Sequence, residues 1–297
     1  MRIAIDCGHG SNTAGKRTPP MPKAIDIDGD GKVEIKKGEQ YREHYANVGV
    51  GKLLVTELER CGFEVFKSAF GDDDIPLTDR QKAITKAKCD YSISIHFNAY
   101  GDGTSFNTAE GVAICIHDKY AGKSKKLAET VLKYLMGGTK QKNRGVSPRA
   151  LAMCNCNSLG TKAAILCELA FMTNEREAVE LMAASRFWKE SAIEIAKGLC
   201  EYTGVKYVPE IIDTNPTKTI TSLSPKEDIK WLQINLNQCL GKAESFIPLL
   251  VDGSYGSKTR IAILIYWERL GWNKKMEDDG TKAGKETMQA LLAGRKE

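Results

Sequence analysis

Strand-like and helix-like segments alternate along the chain up to about residue 205, and this alternation limits the fold more than any other feature. The strand candidates are residues 2–7, 63–68, 91–97, 111–117 and 163–169. The helix candidates are residues 39–61, 77–88, 122–136, 175–183 and 186–203. Strands separated by helices of this length form a sheet that is covered on both faces. The predicted fold class is therefore α/β, with a mixed, mainly parallel sheet and helices on both faces.

The pattern breaks at residues 206–222, where two prolines, several threonines and the lack of an amphipathic period indicate a linker. Beyond it, a helix is predicted over 225–240, and the turn signals Asp252-Gly253 and Asp279-Gly280 each lead into a further helical pattern. Three short helices can fold alone, although their core is small. The predicted organisation is a domain at 1–205, the linker at 206–222 and a three-helix domain at 223–297.

The composition argues against two functional classes. Of the 297 residues, 43 are basic and 38 are acidic, and the net charge of +5 is too balanced for a nucleic-acid-binding surface. The longest apolar runs, such as 163–167, have the length of a strand, so no membrane span is expected. The nine cysteines are odd in number and mostly lie in apolar patterns, which is typical of small buried hydrophobic residues. The sequence leaves the oligomeric state open.

Two of the four histidines lie where predicted strands end. His9 follows the first strand and His96 ends the third, and sites in open α/β sheets form at these carboxyl edges. A hydrolytic zinc site commonly takes two histidines and one glutamate and keeps one position for water. Glu39 and Glu43 lie in the first turns of the first predicted helix, and Glu168 ends the fifth strand. The spacing alone leaves open which glutamate binds the metal and which acts as a general base.

Four segments in a fixed order carry a resemblance to a known family. They are IDCGHG at 5–10, DRQKAITKAKCDYSISIHFNA at 79–99, NRGV at 143–146 and AILCELAFMTN at 164–174. Together with the acidic start of the helix at Glu43, this ordered set resembles the zinc-dependent N-acetylmuramoyl-L-alanine amidases of bacterial autolysins and phage endolysins. The resemblance covers nearly the whole of residues 1–205.

The resemblance implies roles for individual residues. His9, Glu43 and His96 match the ligands of a single Zn²⁺ ion, and Glu168 matches the catalytic carboxylate. The implied reaction is hydrolysis of the amide between the lactyl group of N-acetylmuramic acid and L-alanine by a water whose pKa the zinc lowers. Asn98 and Asn174 are candidates for hydrogen-bonding the substrate, with turn capping as the alternative role for each.

A second resemblance covers residues 223–293. The segments WLQINLN at 231–237 and VDGSYGSKT at 251–259 resemble three-helix peptidoglycan-binding modules, although Trp267 and Glu268 replace the usual phenylalanine and glutamine. The implied partner is therefore bacterial peptidoglycan, and a tethered wall binder would raise the local substrate concentration of a hydrolase.

The start of the chain bears on localisation. Met1 leads directly into a strand pattern, so no signal peptide is expected. This feature favours a phage endolysin that is held in the cytoplasm of the producing cell and acts on the cell wall after release. A bacterial autolysin with the same chemistry and a catalytically inert cell-wall-binding protein are the alternatives. A zinc exopeptidase is disfavoured, because Asn12 stands where such an enzyme needs a glutamate three residues after His9.

An acidic loop at 26–34 raises the question of a second metal. Asp26, Asp28, Asp30 and Gly31 match the first half of an EF-hand calcium loop. The twelfth position of that loop needs a bidentate glutamate and is Lys37 here. The sequence therefore favours a solvated acidic turn over a Ca²⁺ site.

Overall fold

The computed structural model of the protein describes residues 1–29, 31–138, 141–210, 219–241, 246–272 and 279–295. The chain divides into two compact units, Met1–Glu210 and Ile211–Glu297. Residues 211–218 of the predicted linker lie outside the described residues. The first residues of this linker belong to the first unit, since the Tyr207 hydroxyl donates a hydrogen bond of 2.6 Å to Glu57.

The first unit is built on a six-stranded sheet. Its strands are β1 (Arg2–Cys7), β2 (Glu64–Ser68), β3 (Tyr91–Asn98), β4 (Val112–Ile116), β5 (Asn143–Pro148) and β6 (Ala163–Phe171). Their order across the sheet is β2-β1-β3-β6-β4-β5. The first four of these are parallel, β4 is antiparallel to β6, and β5 is parallel to β4. The prediction of a mixed, mainly parallel sheet is confirmed.

In the part of the first unit that the structure describes, five helices accompany this sheet. They are α1 (Glu43–Arg60), α2 (Leu77–Lys86), α3 (Ala121–Gly138), α4 (Glu175–Glu177), which continues as a π-helix over Ala178–Met182, and α5 (Ser185–Thr203). Helices α1, α3 and α5 pack with Ile3 and Ile5 into the main core on one face. The other face carries a smaller core, in which Ile84 of α2 packs with Ala4. Both faces are therefore covered, and strand residues of the central strands are buried on both sides.

Helix α1 begins at Glu43, four residues later than the sequence pattern predicts. The segment before it is folded as paired backbone, because Met21 N donates to Glu39 O at 2.8 Å and Ile25 pairs with Ile35. Glu39 belongs to this segment, and its carboxylate accepts a hydrogen bond of 2.8 Å from Lys36 N. The described residues between His9 and α1 thus form an insertion with paired backbone, and its apolar side chains Met21, Ile25 and Ile35 join the main core.

The described residues of the second unit form three helices, as predicted. They are α6 (Lys226–Leu240), α7 (Ser257–Arg269) and α8 (Lys285–Leu292), with a two-stranded sheet formed by β7 (Ile220–Thr221) and β8 (Lys282–Ala283). Trp267 is 2% exposed and its Nε1 donates to Thr287 Oγ1 at 2.9 Å, so its side chain belongs to the core. The Gln233 side chain donates to Asp252 and accepts from Gly253 N, which fixes the first Asp-Gly turn against α6.

Two expectations from the composition can be checked directly. All nine cysteines are free and buried, as expected of small hydrophobic residues. Within the described residues, none of the helices combines the length and the apolar character that crossing a membrane requires.

Candidate active site

The sheet order places three sequence-predicted residues next to one another. Strands β1, β3 and β6 are neighbours, and all three run in the same direction. His9 follows β1 by two residues, while His96 and Glu168 lie near the ends of β3 and β6 and share one register position. The ladder is irregular between His96 and Asn98, and such bulges change the direction of side chains beside functional sites. The carboxyl edge of the sheet therefore gathers these side chains, and the first turn of α1 adds Glu43.

His9, Glu43 and His96 form a compact cluster. One potential ligand atom from each lies within 4.8 Å of the other two. Glu43 Oε1 is 3.0 Å from His96 Nδ1, and Glu43 Oε2 is 3.4 Å from His9 Nε2. The two imidazole rings meet edge to face with centroids 4.9 Å apart. Two imidazoles and one carboxylate are a ligand set that a catalytic zinc site uses.

The burial of Glu43 tests whether a cation fits this cluster. Its side chain is 1% exposed, and Oε2 is buried without a hydrogen-bond partner among the described residues. A buried carboxylate oxygen without a partner is costly unless a cation or a donor satisfies it. The geometry and the donor types fit a divalent metal ion bound by His9, Glu43 and His96.

The protonation states of His9, Glu43 and His96 bear on how the cluster can bind a metal. Burial lowers the pKa of His9 to about 4, which keeps its imidazole neutral and its nitrogen lone pair available. Burial disfavours the Glu43 carboxylate, but its hydrogen bond with His96 prevails and lowers the pKa of Glu43 to about 2. Burial opposes the charged form of His96, but its hydrogen bond with Glu43 raises the pKa of this imidazole. A bound cation would therefore replace the proton of His96, and the ionised Glu43 would offset part of the charge of the metal.

Glu168 differs from Glu43 in its environment. Burial raises the pKa of Glu168 to about 7, and the nearby Glu43 carboxylate also raises it. Its Oε2 is buried and has no hydrogen-bond partner in the described part of the chain. A carboxyl group with a pKa near neutrality can both accept and donate a proton under working conditions, as general acid–base catalysis requires.

The backbone at His9 is strained. Its φ angle is +63°, in the left-handed region, where a residue with a side chain costs about 1–3 kcal/mol. The neighbouring glycines permit close contacts: a Cβ at Gly8 would lie 2.2 Å from the His96 ring, and one at Gly10 would lie 2.3 Å from the backbone of Asp74. The motif Gly8-His9-Gly10 is thus needed for the chain to turn beside His96.

Sequence reasoning missed the residues that support His9. The carbonyl of Gly8 accepts from Asn47 Nδ2 at 3.0 Å and lies 3.0 Å from Nδ1 of His44, and both side chains come from α1. From α2, the buried Arg80 donates to the carbonyl of His9 at 3.0 Å. Arg80 precedes Ile84 by one helical turn on the buried face of α2, so a charged residue at an apolar position was the available signal.

The two asparagines proposed for the substrate lie at the same edge. The side chain of Asn98, which ends β3, accepts from Ala99 N at 2.9 Å. The side chain of Asn174 accepts from Glu177 N at 3.1 Å, as an N-cap does, and its amide donates to Asn107 O at 3.4 Å. Asn174 thus braces the loop that follows β3, and a substrate contact of either residue stays a prediction.

The acidic loop brings Asp26, Asp28 and Glu34 within reach of one another. All three are exposed, and Asp30 lies outside the described residues. The Asp26 carboxylate accepts from Gly29 N at 2.7 Å and from Gly31 N at 2.9 Å, as in a solvated acidic turn. The choice between turn and Ca²⁺ site stays a prediction.

Solved structures share this architecture. An N-acetylmuramoyl-L-alanine amidase from Clostridium difficile 630 is 25% identical with a TM-score of 0.53, and the match covers 68% of this chain and 96% of that one. The catalytic domain of the amidase CwlV from Bacillus (Paenibacillus) polymyxa var. colistinus is 22% identical with a TM-score of 0.54, over 69% of this chain and 99% of that one. AmiC2 of Nostoc punctiforme is 21% identical with a TM-score of 0.51, over 69% and 97%.

The amino-acid sequence also shows the family of the chain. A search of curated proteins finds no match. A family model described as N-acetylmuramoyl-L-alanine amidase matches residues 3–201, which include all but the first residue of β1, the whole of β2 to β6 and all residues of the cluster. The matched segment is about two thirds of the 297 residues. The chain therefore belongs to the N-acetylmuramoyl-L-alanine amidase family and is a peptidoglycan hydrolase.

Proposed function

We propose that the first unit cleaves the amide between N-acetylmuramic acid and L-alanine with one Zn²⁺ ion bound by His9, Glu43 and His96, and with Glu168 as general base. The observation that carries the proposal is the buried Glu43 Oε2, which faces His9 Nε2 at 3.4 Å and has no hydrogen-bond partner among the described residues.

The bound ion would supply Lewis acidity, polarising the scissile carbonyl and lowering the pKa of water. His9 and His96 would hold it as neutral imidazoles, and Glu43 would offset part of its charge. Because Phe97 N donates a hydrogen bond of 3.0 Å to Glu43 Oε1, the carboxylate is held in place and needs little reorganisation to bind a cation. Such preorganisation is what holds a metal site to one geometry.

Glu168 would move the proton. Its carboxylate form accepts a proton from the attacking water, and the protonated form then donates it to the nitrogen of the departing L-alanine. An amine leaves an amide poorly without this protonation. A pKa of about 7, raised by burial, allows one residue to serve in both steps.

The bond cleaved is tested by digestion of purified peptidoglycan with end-group analysis. We expect new L-alanine amino termini and no new reducing sugars. New reducing ends would indicate a glycosidase, and new termini at other amino acids would indicate a peptidase. No release by zinc-loaded protein would favour the inert cell-wall-binding alternative.

We also propose that the second unit binds the cell wall. The support is its resemblance to three-helix peptidoglycan-binding modules, together with the Gln233 hydrogen bonds that order the Asp252-Gly253 turn. Cosedimentation with purified peptidoglycan compares the full chain with residues 1–210. The full chain should pellet with the wall at concentrations where the shorter chain stays in solution. Equal pelleting of the two would contradict wall binding by the second unit.

For the biological role we propose a phage endolysin that is stored in the cytoplasm of the producing cell. The support is the resemblance to the zinc-dependent amidases of phage endolysins, a resemblance that includes bacterial autolysins as well. The test is expression in a susceptible bacterium with and without a membrane-permeabilising agent. Lysis only after permeabilisation is expected of an endolysin. Wall cleavage without permeabilisation would favour an exported autolysin of the same chemistry.

A further inference from the structure

We infer that Arg80 is a positioning residue for the metal site, which holds His9 in its left-handed conformation and thereby sets the affinity for zinc. The inference rests on the proposed function, because it concerns the same ligand cluster. Arg80 would not contact the substrate, and its effect would reach the metal only through the backbone of His9.

The contacts of Arg80 surround the residue that it would position. Its Nη1 donates to Cys7 O at 3.1 Å and its Nη2 to His9 O at 3.0 Å, one carbonyl before the strained turn and one within it. Its Nε donates to Ile75 O at 2.7 Å. The planar guanidinium thus links the end of β1 to the segment that precedes α2, in a fork that a lysine cannot reproduce.

The charge of Arg80 is balanced locally. Nη2 is 2.9 Å from Asp74 Oδ1, and Nη1 is 3.5 Å from Asp6 Oδ1. Asp6 is buried and accepts from Ser68 and Ser94, each at 2.8 Å. With two carboxylates beside it, the guanidinium can stay charged inside the protein without repelling a cation at the cluster.

Arg80 is buried, so each of its hydrogen-bond donors needs an acceptor inside the protein. Its side chain is 1% exposed, and a buried guanidinium is retained only where its donors are matched by acceptors. The acceptors come from Cys7, His9, Ile75 and Asp74, that is, from the two chain segments that meet at the His9 turn. On the other side of the turn, Asn47 holds the Gly8 carbonyl. His9 is therefore fixed between α1 and α2.

The experiment measures the zinc dissociation constant by chelator competition in the full-length protein. Arg80→Ala should weaken zinc binding about 10–100-fold, as loss of an outer partner of a metal ligand typically does. Arg80→Lys keeps the positive charge but not the forked set of donors. Its zinc affinity should lie between those of the wild type and Arg80→Ala. The matched control is Arg60→Ala, because Arg60 also donates to a backbone carbonyl, Val208 O at 2.9 Å, and pairs with a carboxylate, Glu57.

Thermal unfolding of the zinc-free proteins separates positioning from general stability. If Arg60→Ala lowers the melting temperature as Arg80→Ala does but keeps the wild-type zinc affinity, positioning is supported. If Arg80→Ala fails to fold, Asp74→Asn is used, which loosens the guanidinium from a 40%-exposed partner and should weaken zinc binding about 10-fold. Wild-type zinc affinity in a folded Arg80→Ala, or in Asp74→Asn where that variant is needed, overturns the inference. If the wild-type protein itself binds no zinc, the proposed metal site fails instead.

Discussion

His96 and Glu168 occupy the same register position on the adjacent parallel strands β3 and β6. One is a ligand in the proposed metal cluster, and the other is the carboxyl group whose pKa burial raises to about 7. Side chains at one register position of neighbouring strands point to the same side of the sheet. The sheet itself therefore sets the distance between metal ligand and proton acceptor.

Glu168→Gln should keep zinc and lose turnover. The amide has a similar shape to the carboxyl group but cannot accept the proton, so kcat should fall by a factor on the order of 10²–10⁴. Zinc content and kcat are measured on the same preparation.

The matched control for this variant is Glu190→Gln. Burial also raises the pKa of Glu190 to about 7, but this residue lies on α5 and outside the cluster. Its variant should keep wild-type turnover. Near-normal turnover in Glu168→Gln would assign the general base to another residue.

The acidic limb of the pH profile of kcat/KM should follow the ionisation of Glu168. The general base works as a carboxylate, so activity should rise with pH and level off above its pKa. That pKa is about 7 without a metal, and a nearby cation favours the carboxylate, so the apparent value should be about 7 or lower. Zinc content is followed at each pH, because protonation of His9 or His96 releases metal. An acidic limb that persists in the residual activity of Glu168→Gln, with zinc still bound, would contradict this assignment.

Gly8→Ala should impair the metal site with little effect elsewhere. Its Cβ would lie 2.2 Å from the His96 ring, so the ring must shift from its present position in the cluster. We expect weaker zinc binding and lower activity together. Gly122→Ala is the control, because a Cβ at Gly122 of α3 meets nothing within 4 Å. Equal zinc affinity in the two variants would show that His96 tolerates the displacement.

Replacing Asn98 and Asn174 by alanine should affect different properties: KM for Asn98 and stability for Asn174. Asn174 accepts from Glu177 N, so Asn174→Ala should lower the free energy of unfolding by about 1 kcal/mol, the usual cost of losing an N-cap. Asn98→Ala should instead raise KM, if Asn98 binds the substrate. Chemical denaturation and steady-state kinetics measure the two effects. A raised KM with unchanged stability in Asn174→Ala would return that residue to the substrate site.

The sequence predicted the central strands, with His9, His96 and Glu168 near their ends, because these signals are local, whereas Glu43 was assigned only through the family resemblance. Buried apolar runs end in His9, His96 and Glu168, and strands β1, β3 and β6 were recognisable from those runs. Strand β5 was not predicted, because it is a partly exposed edge strand that contains Gly145 and Pro148.

The support around His9 could not be derived in the same way. The carbonyls that Arg80 contacts belong to residues about 70 positions away, with sequence separations of 73 for Cys7 and 71 for His9. A backbone carbonyl leaves no trace in the amino-acid pattern. The start of α1 was similarly hidden, because residues 39–42 have helical composition but pair with the insertion.

Zinc stoichiometry and affinity, measured on the wild-type protein and on His96→Ala, test the central claim most directly. The wild type should bind one equivalent of zinc, lose activity on exhaustive chelation and regain it when zinc is restored. His96→Ala should lose tight zinc binding and activity together. A full equivalent of tightly bound zinc in His96→Ala, or undiminished activity of the chelated wild type, would contradict a metal site formed by His9, Glu43 and His96.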